Sequence, residues 1–184
     1  ANGMRKLIFD LRFNGGGVMG SAVSIVDAFL AEGQPIVSTK GKNNPEEVLY
    51  AETPPLLGDV ELAVLINGSS ASASEIVAGA IQDNDRGTII GRRSFGKGLV
   101  QQDINLKDGS NLRLTVSRYY TPTGRCIQKP YTGDYQEYLM DEVNRYENGE
   151  LYALDSSLLV DSLKYTTPGG KTVYGGGGIM PDIF

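Results

Sequence analysis

Two short segments of the sequence carry residue types that could supply a nucleophile and a base. The first is the run Ser69-Ser70-Ala71-Ser72-Ala73-Ser74-Glu75, which follows an apolar, strand-like stretch and precedes a helical pattern. At such a strand-to-helix junction, free backbone N–H groups and the helix dipole favour negative charge, so an oxyanion could be held there. Taken alone, the run favours a simpler interpretation, in which Ser74 or a neighbour caps the helix and small residues fill a tight corner.

The second segment, Ser94-Phe95-Gly96-Lys97-Gly98, holds a lysine between two glycines. A Gly-Lys-Gly sequence is more often an exposed turn than a catalytic base. A lysine that accepts a proton near neutral pH must be sheltered from water, because an ordinary lysine amine holds its proton there. A role as a base therefore requires that the fold bury this loop.

The composition excludes several classes of function. The 184 residues include no histidine, which excludes a Ser-His-Asp or Cys-His hydrolase and any zinc site built on imidazole within this chain. The formal net charge of −5 and the lack of a basic run argue against a nucleic-acid surface. The single cysteine, Cys126, cannot form an internal disulfide, and we expect it to serve in packing. A base in this chain must be lysine, glutamate, aspartate or tyrosine.

Strand and helix patterns alternate along the first half of the chain. The patterns predict strands over residues 7–11, 36–40, 62–66 and 88–90 and helices over residues 21–31 and 74–83. This alternation favours a mainly parallel sheet covered by helices, with functional sites at the carboxyl ends of the strands. The glycine-rich loop at residues 14–17 and the serine run both fall at such ends.

The second half of the chain is predicted to add an antiparallel hairpin and an exposed helix. Residues 99–106 and 112–120 alternate in polarity around Lys107-Asp108-Gly109-Ser110, a hairpin signal, and residues 135–146 are polar and amphipathic. The length fits one compact domain, and the apolar stretches are too short to span a bilayer. The opening Ala1-Asn2-Gly3-Met4 runs almost directly into a strand, which suggests a fragment of a longer protein.

Five segments taken together resemble the C-terminal processing peptidases, also called tail-specific proteases. The segments are Asp10-Leu11-Arg12 with Asn14 and Gly16-Gly17; Ser70 to Ile76; Phe95-Gly96-Lys97-Gly98 with Gln101; Arg118-Tyr119-Tyr120-Thr121-Pro122; and Gly178 with Pro181-Asp182. They follow the family's order and span most of the chain. The resemblance implies a ClpP/crotonase-like α/β protease core with a mainly parallel sheet, flanking helices and an antiparallel hairpin extension.

The resemblance also implies the chemistry. It makes Ser72 the nucleophile, Lys97 the base and Gln101 the residue that orients the lysine. The lysine would take the proton of the serine hydroxyl, the serine would attack the substrate carbonyl, and water would release the acyl-enzyme. The backbone N–H groups of Ala73 and of Gly17 or Gly16 would hold the oxyanion.

The remaining polar residues near these motifs have supporting interpretations. Glu75 could help to position the site or could be a favourable carboxylate in the first turn of a helix, and the sequence does not separate the two. Asp10 and Arg12 are expected to form a structural ion pair under the glycine loop. The tyrosines between Tyr119 and Tyr174 show no pattern, and we assign them no role.

For the whole protein, the resemblance implies an endopeptidase that cuts proteins or peptides near exposed C-terminal tails, in the cell envelope or periplasm. It implies no metal and no cofactor, and it leaves a homo-oligomer open. Residues 1–184 would be a single protease core, without the family's PDZ domain and N-terminal segment. An insertion at about residues 129–174, of the kind found in Bacteroidetes-type members, would interrupt this core.

Two other functions are compatible with the same fold. One is a non-catalytic ligand-binding module, against which the intact Ser72 and Lys97 argue. The other is an acyl-CoA enzyme of crotonase-like architecture, which also uses glycine loops as oxyanion holes. A hydratase of that type needs paired carboxylates, and no such pair stands out in the sequence.

Overall fold

The computed structural model describes residues 3–131, 133–154 and 156–184, and all statements below concern this part of the chain. Ala1 and Asn2, from the predicted fragment start, and residues 132 and 155, from the predicted insertion, lie outside it. The strands are β1 (Lys6–Asp10), β2 (Pro35–Lys40), β3 (Glu47–Tyr50), β4 (Glu61–Ile66), β5 (Thr88–Gly91), β6 (Leu99–Asn105), β7 (Asn111–Tyr120), β8 (Lys164–Thr166) and β9 (Thr172–Tyr174). The α-helices are α1 (Met19–Asp27), α2 (Ala73–Asp83) and α3 (Tyr135–Glu147).

Strands β1, β4 and β5 form a parallel sheet with β4 in the centre. In its register Asp10 lies opposite Leu65, and Ile66 lies opposite Gly91, so the three strands end at the same edge. The glycine loop after β1, the serine turn after β4 and the loop after β5 therefore leave the sheet side by side. This confirms the predicted α/β core, and the glycine loop and the serine run lie at the carboxyl ends of its parallel strands.

A second, antiparallel sheet has the strand order β3-β2-β7-β6. It contains the predicted hairpin of β6 and β7, which pair from Leu99 opposite Arg118 to Asn105 opposite Asn111. Strand β2 belongs to this sheet, with Ser38 opposite Tyr120, although its place after α1 had predicted a strand, helix, strand unit within the parallel sheet. The apolar pattern of β2 identified a strand but carried no information about its neighbours.

The hydrophobic core lies between the parallel sheet and helices α1 and α2. The residues that the sequence predicted to face inward are buried: Ala22, Val26, Phe29 and Leu30 from the first helical segment, and Ile76, Val77, Ala80 and Ile81 from the second. Each large aliphatic side chain buried in this way contributes about 1.5–3 kcal/mol to folding. This packing fixes the start of α2, and therefore the serine run, against the end of the parallel sheet.

Helix α1 begins and ends earlier than predicted. It starts at Met19 after an extended residue whose side chain makes no capping hydrogen bond, so the sequence offered no start signal. It ends at Asp27, yet Phe29 and Leu30 stay buried in a tight turn in which both backbone N–H groups donate to the Val26 carbonyl. The apolar period continued past the helix because a buried turn has the same pattern.

The short strands β3, β8 and β9 carried too few residues to show a period.

None of the helices in the described ranges is long and apolar enough to cross a membrane. The outer face of the parallel sheet is open, with Ile8 and Ile183 more than half exposed. A wide depression of about 810 Å³ lies on this face, and neither Ser72 nor Lys97 lines it.

Candidate active site

Ser72 occupies a constrained position between β4 and α2. Its φ of 56° and ψ of −117° lie in a region that residues with a Cβ rarely adopt. The preceding turn is tightly held, because the buried Ser70 hydroxyl donates to the Leu11 carbonyl at 2.8 Å and the Asn67 side chain accepts the Phe13 N–H at 3.0 Å. The surrounding contacts thus impose the unusual backbone of Ser72, at the N-terminus of a helix.

The glycine loop at residues 14–17 lies directly against this turn. The Asn14 carbonyl accepts the N–H of Ala71 and the hydroxyl of Ser74, both at 3.0 Å. Gly16 has a φ of +97°, and a Cβ placed on it would lie only 2.6 Å from the Ala71 carbonyl oxygen. Only glycine permits this approach, which brings the loop to within contact of Ser72.

Three backbone N–H groups at this contact differ in availability. The Gly16 N–H donates to the Asn14 side chain at 2.9 Å and is therefore already used. The N–H groups of Gly17 and Ala73 have no hydrogen-bond partner within the described residues. The glycine loop thus offers the Gly17 N–H as a free donor in the cavity that the Ala73 N–H also borders, at the start of α2.

Lys97 lies in the loop of residues 92–98 between β5 and β6, named here the lysine loop. It is half-buried, and it lines a cavity of about 590 Å³ together with Ser72, Ala73, Gly17 and Gln101. The fold therefore brings together residues from three separate segments that the sequence singled out: the glycine loop, the serine run and the segment of Lys97 and Gln101. No hydrogen bond joins the Ser72 hydroxyl to the Lys97 amine in the described part of the chain.

Glu75 connects the serine turn to the lysine loop. Its carboxylate accepts four hydrogen bonds, from the N–H groups of Ser72 (2.9 Å), Gly96 (2.6 Å) and Lys97 (2.8 Å) and from the Ser94 hydroxyl (2.5 Å). The side chain is fully buried, and this burial raises the pKa of Glu75 while the four donors oppose the rise. Both interpretations that the sequence left open describe its contacts, because Glu75 lies in the first turn of α2 and also binds the lysine loop.

Tyr119, on β7, is a contact of this site that the sequence did not identify. Its hydroxyl contacts the carbonyl oxygen of Ser72 at 3.0 Å and also the carbonyl oxygen of Lys97. Burial raises the pKa of Tyr119 well above its usual value, so the phenol stays protonated and can donate. The segment Arg118–Pro122 was part of the family resemblance, but nothing in its composition marked one tyrosine as different from the others.

Gln101 and the Asp10–Arg12 pair lie at the edge of the site. The exposed Gln101 side chain lines the cavity but donates to the Thr115 hydroxyl at 3.4 Å, so its predicted contact with the lysine is not made. Asp10 and Arg12 form the expected ion pair at 2.7 Å. The Arg12 guanidinium lowers the pKa of Asp10 to about 2, although both side chains are about half exposed.

The described residues include no group of three or more histidine, cysteine, aspartate or glutamate side chains that could hold a metal ion. The ionisable groups of the site include the Lys97 amine, the buried Glu75 carboxylate and the buried Tyr119 phenol, and the Asp103–Arg113 ion pair also lines the cavity. With a serine hydroxyl at a helix N-terminus and two free N–H groups, the arrangement provides the parts required for acyl transfer.

Comparison with known proteins identifies a family and relatives that match most of the chain. The model of peptidase family S41 matches residues 1–136. A carboxy-terminal-processing protease from Bartonella bacilliformis is 50% identical over 126 residues, which are 68% of this chain and 29% of that protein. A chloroplastic C-terminal processing peptidase from Tetradesmus obliquus is 39% identical over 127 residues, which are 69% of this chain and 27% of that protein. The match thus spans less than a third of the length of either relative.

The fold also superposes on solved structures of related proteases. The photosystem II D1 C-terminal processing protease is 38% identical and superposes with a TM-score of 0.64, over 69% of this chain and 33% of that one. An S41 protease structure from Bacteroides fragilis superposes with a TM-score of 0.57 at 16% identity, over 79% of this chain and 45% of that one. At that identity the second likeness concerns the fold alone.

Proposed function

Because the chain belongs to peptidase family S41, we propose that it is the core of a serine endopeptidase in which Ser72 and Lys97 form the catalytic dyad. One observation carries the proposal: the two residues line the same cavity, and a single buried carboxylate, that of Glu75, binds the backbone of both. The shared anchor fixes the two loops relative to each other, as a nucleophile and its base require.

In the proposed reaction the Lys97 amine, in its neutral form, takes the proton of the Ser72 hydroxyl. The serine oxygen attacks the carbonyl carbon of the scissile peptide, and the same proton passes to the leaving amine as the C–N bond breaks. Water then hydrolyses the acyl-enzyme, again with the amine as base. Catalytic hydrogen bonds are often long before substrate binds. The missing hydrogen bond between the Ser72 hydroxyl and the Lys97 amine is therefore compatible with an enzyme that has no substrate bound. Gln101 would orient the amine in the closed state.

The oxyanion would be bound by the two free N–H groups, of Gly17 and Ala73. Removing one oxyanion-hole donor typically costs about 10²–10³ in rate, so these donors would carry much of the catalysis. The Gly16 N–H is not available, since it donates to the Asn14 side chain. Gly16 would instead contribute by lacking a Cβ, which allows the glycine loop to approach the serine turn.

The substrates we propose are proteins or peptides with exposed C-terminal tails, since the relatives are named for C-terminal processing. No metal or cofactor takes part in this mechanism. We also propose that residues 1–184 are one protease core of a cell-envelope or periplasmic protein, with an insertion at about residues 129–174 that lies mostly beyond the matched residues 1–136.

The test is the loss of peptide cleavage when either member of the dyad is removed. Ser72→Ala and Lys97→Ala should each lower kcat/KM for an unfolded protein substrate by at least about 10³-fold, because nucleophile and base act as a unit. Lys97→Arg should be equally inactive, because a guanidinium keeps its proton at neutral pH.

Ser69→Ala and Lys107→Ala are the matched controls, since the first lies in the same turn and the second on the exposed hairpin turn. Both should keep the activity of the unsubstituted protein. Wild-type turnover by Ser72→Ala, or by Lys97→Arg, would refute the dyad.

A further inference from the structure

The carbonyl oxygens of the lysine loop are bound by an arginine from helix α3. The Arg145 guanidinium donates to the carbonyls of Arg93 (3.2 Å), Ser94 (2.8 Å) and Phe95 (3.2 Å). These are consecutive residues, and Lys97 follows two positions later. The matched region of the S41 family ends at residue 136, so α3 lies almost entirely beyond it.

Arg145 is itself held in place. It is the buried residue of an otherwise exposed helix, with 4% of its surface accessible. Asp141, one turn earlier, binds the guanidinium at 2.9 Å and also binds the buried amine of Lys129 at 3.1 Å. The backbone N–H of Lys129 donates to the carbonyl of Gly96 at 2.9 Å, so the next carbonyl of the loop is bound from the same side.

Arg145 and Glu75 hold opposite sides of the same backbone. Glu75 accepts the N–H groups of residues 96 and 97, whereas Arg145 donates to the carbonyls of residues 93–95. A Cβ placed on Gly68, in the turn that leads to Ser72, would lie 3.9 Å from the guanidinium. Arg145 therefore binds the lysine loop and lies close to the turn that leads to Ser72.

The chemistry of this contact suits a guanidinium and no other side chain. Arginine offers five N–H donors in a rigid planar fork and keeps its charge when buried, while an amine is a flexible point donor. Burial lowers the pKa of Arg145, and the three carbonyls and Asp141 replace part of the lost hydration, while the buried Nε has no hydrogen-bond partner within the described residues. Such an array fixes a backbone path rather than a single contact.

We infer that Arg145 is a positioning residue for the base: it clamps the carbonyl side of the lysine loop and so sets the place of the Lys97 amine relative to Ser72. The inference rests on the proposed function, since it matters for catalysis only if Lys97 is the base. Helix α3 is then a functional part of the site, although it lies almost entirely beyond the part of the chain that matches the family.

The test measures kcat and KM of the whole protein on a fluorogenic, unstructured peptide with an apolar C-terminal residue. Arg145→Gln should lower kcat about tenfold or more with KM within about twofold, because a misplacement of about 1 Å can cost up to about 10²-fold in rate. Arg145→Lys should give an intermediate kcat, because one amine replaces only part of the fork.

Arg86→Gln is the matched control, because Arg86 also donates to three main-chain carbonyls, those of Phe29, Leu57 and Val60, and it does not line the Ser72 cavity. Arg86→Gln should lower the melting temperature and leave kcat unchanged when assayed well below it. A folded Arg145→Gln with the kcat of the unsubstituted protein would overturn the inference. If Arg145→Gln does not fold, a wild-type kcat in Arg145→Lys would overturn it instead.

Ser72→Ala, assayed in parallel, separates this inference from the proposed function. If Ser72→Ala is inactive and Arg145→Gln is fully active, only the positioning role of Arg145 fails. If Ser72→Ala itself turns over substrate, the proposed function fails, and the positioning role of Arg145 fails as well.

Discussion

At the scale of single residues, the site is organised by polar groups that are buried and fully used. Glu75 binds four donors, and the Tyr119 hydroxyl contacts the carbonyl oxygens of both Ser72 and Lys97. A polar group is costly to bury unless it is hydrogen-bonded. Removing one of these groups should therefore lower the free energy of unfolding. They connect two loops that have no covalent link nearby.

Tyr119→Phe should destabilise the protein and slow catalysis, because it keeps the ring but removes the hydroxyl donor from the partly buried carbonyl oxygens of Ser72 and Lys97. We expect the free energy of unfolding to fall by about 1–3 kcal/mol, measured by urea denaturation. We also expect kcat to fall. Tyr120→Phe is the matched control, since no hydrogen bond of the Tyr120 hydroxyl is found in the described residues. A Tyr119→Phe protein as stable as the unsubstituted one would contradict the role of the hydroxyl.

At the scale of elements, the site exists because two parallel strands end together. The glycine loop follows β1 and the serine turn follows β4, and the pairing of Asp10 with Leu65 brings both loops to one edge of the sheet. The approach is close enough that a Cβ added to Gly16 would clash with the Ala71 carbonyl oxygen and the Ser72 side chain.

Gly16→Ala should be costly, whereas Gly15→Ala should be tolerated. Alanine at residue 16 would need a φ of +97° and would press its Cβ against the Ala71 carbonyl, which should cost at least about 1 kcal/mol and displace the neighbouring Gly17 N–H. Nothing lies within 4 Å of a Cβ on Gly15. Urea denaturation and cleavage rates of both variants check this, and an equally active and stable Gly16→Ala would show that the loop is not constrained.

At the scale of the whole molecule, buried ion pairs join the later segments to the core. Arg125 is completely buried and binds the carboxylate of Asp83, at the end of α2, at 2.5 Å. It also donates to the Gln82 side chain and to the Tyr174 carbonyl on β9. One guanidinium thus connects α2, the chain after β7 and the small hairpin of β8 and β9.

Arg125→Met should lower the free energy of unfolding by about 3–5 kcal/mol, because the substitution leaves the Asp83 carboxylate buried without its cation. Lys6→Met, which breaks the exposed pair with Glu61, should cause no measurable change. Urea midpoints of both variants compare the two pairs. Equal midpoints would contradict the structural importance of the buried pair.

The sequence by itself determined the elements whose signals are local. The apolar period predicted α2 over residues 74–83, against the observed Ala73–Asp83, and the run Leu62–Ile66 predicted β4 to within one residue. The lack of histidine restricted the base to a few residue types. The order of the motifs predicted the family, which the comparisons confirm.

Only the tertiary structure decided which segments meet. The strand pattern of β2 could not reveal that its neighbours are β3 and β7, and no sequence period marks Tyr119 or Arg145 as contacts of the serine turn and the lysine loop. Periodicity records which face of an element is buried, because burial depends on local geometry. Hydrogen bonds between residues far apart in the chain depend on how the elements pack, and that information appears only when the chain is folded.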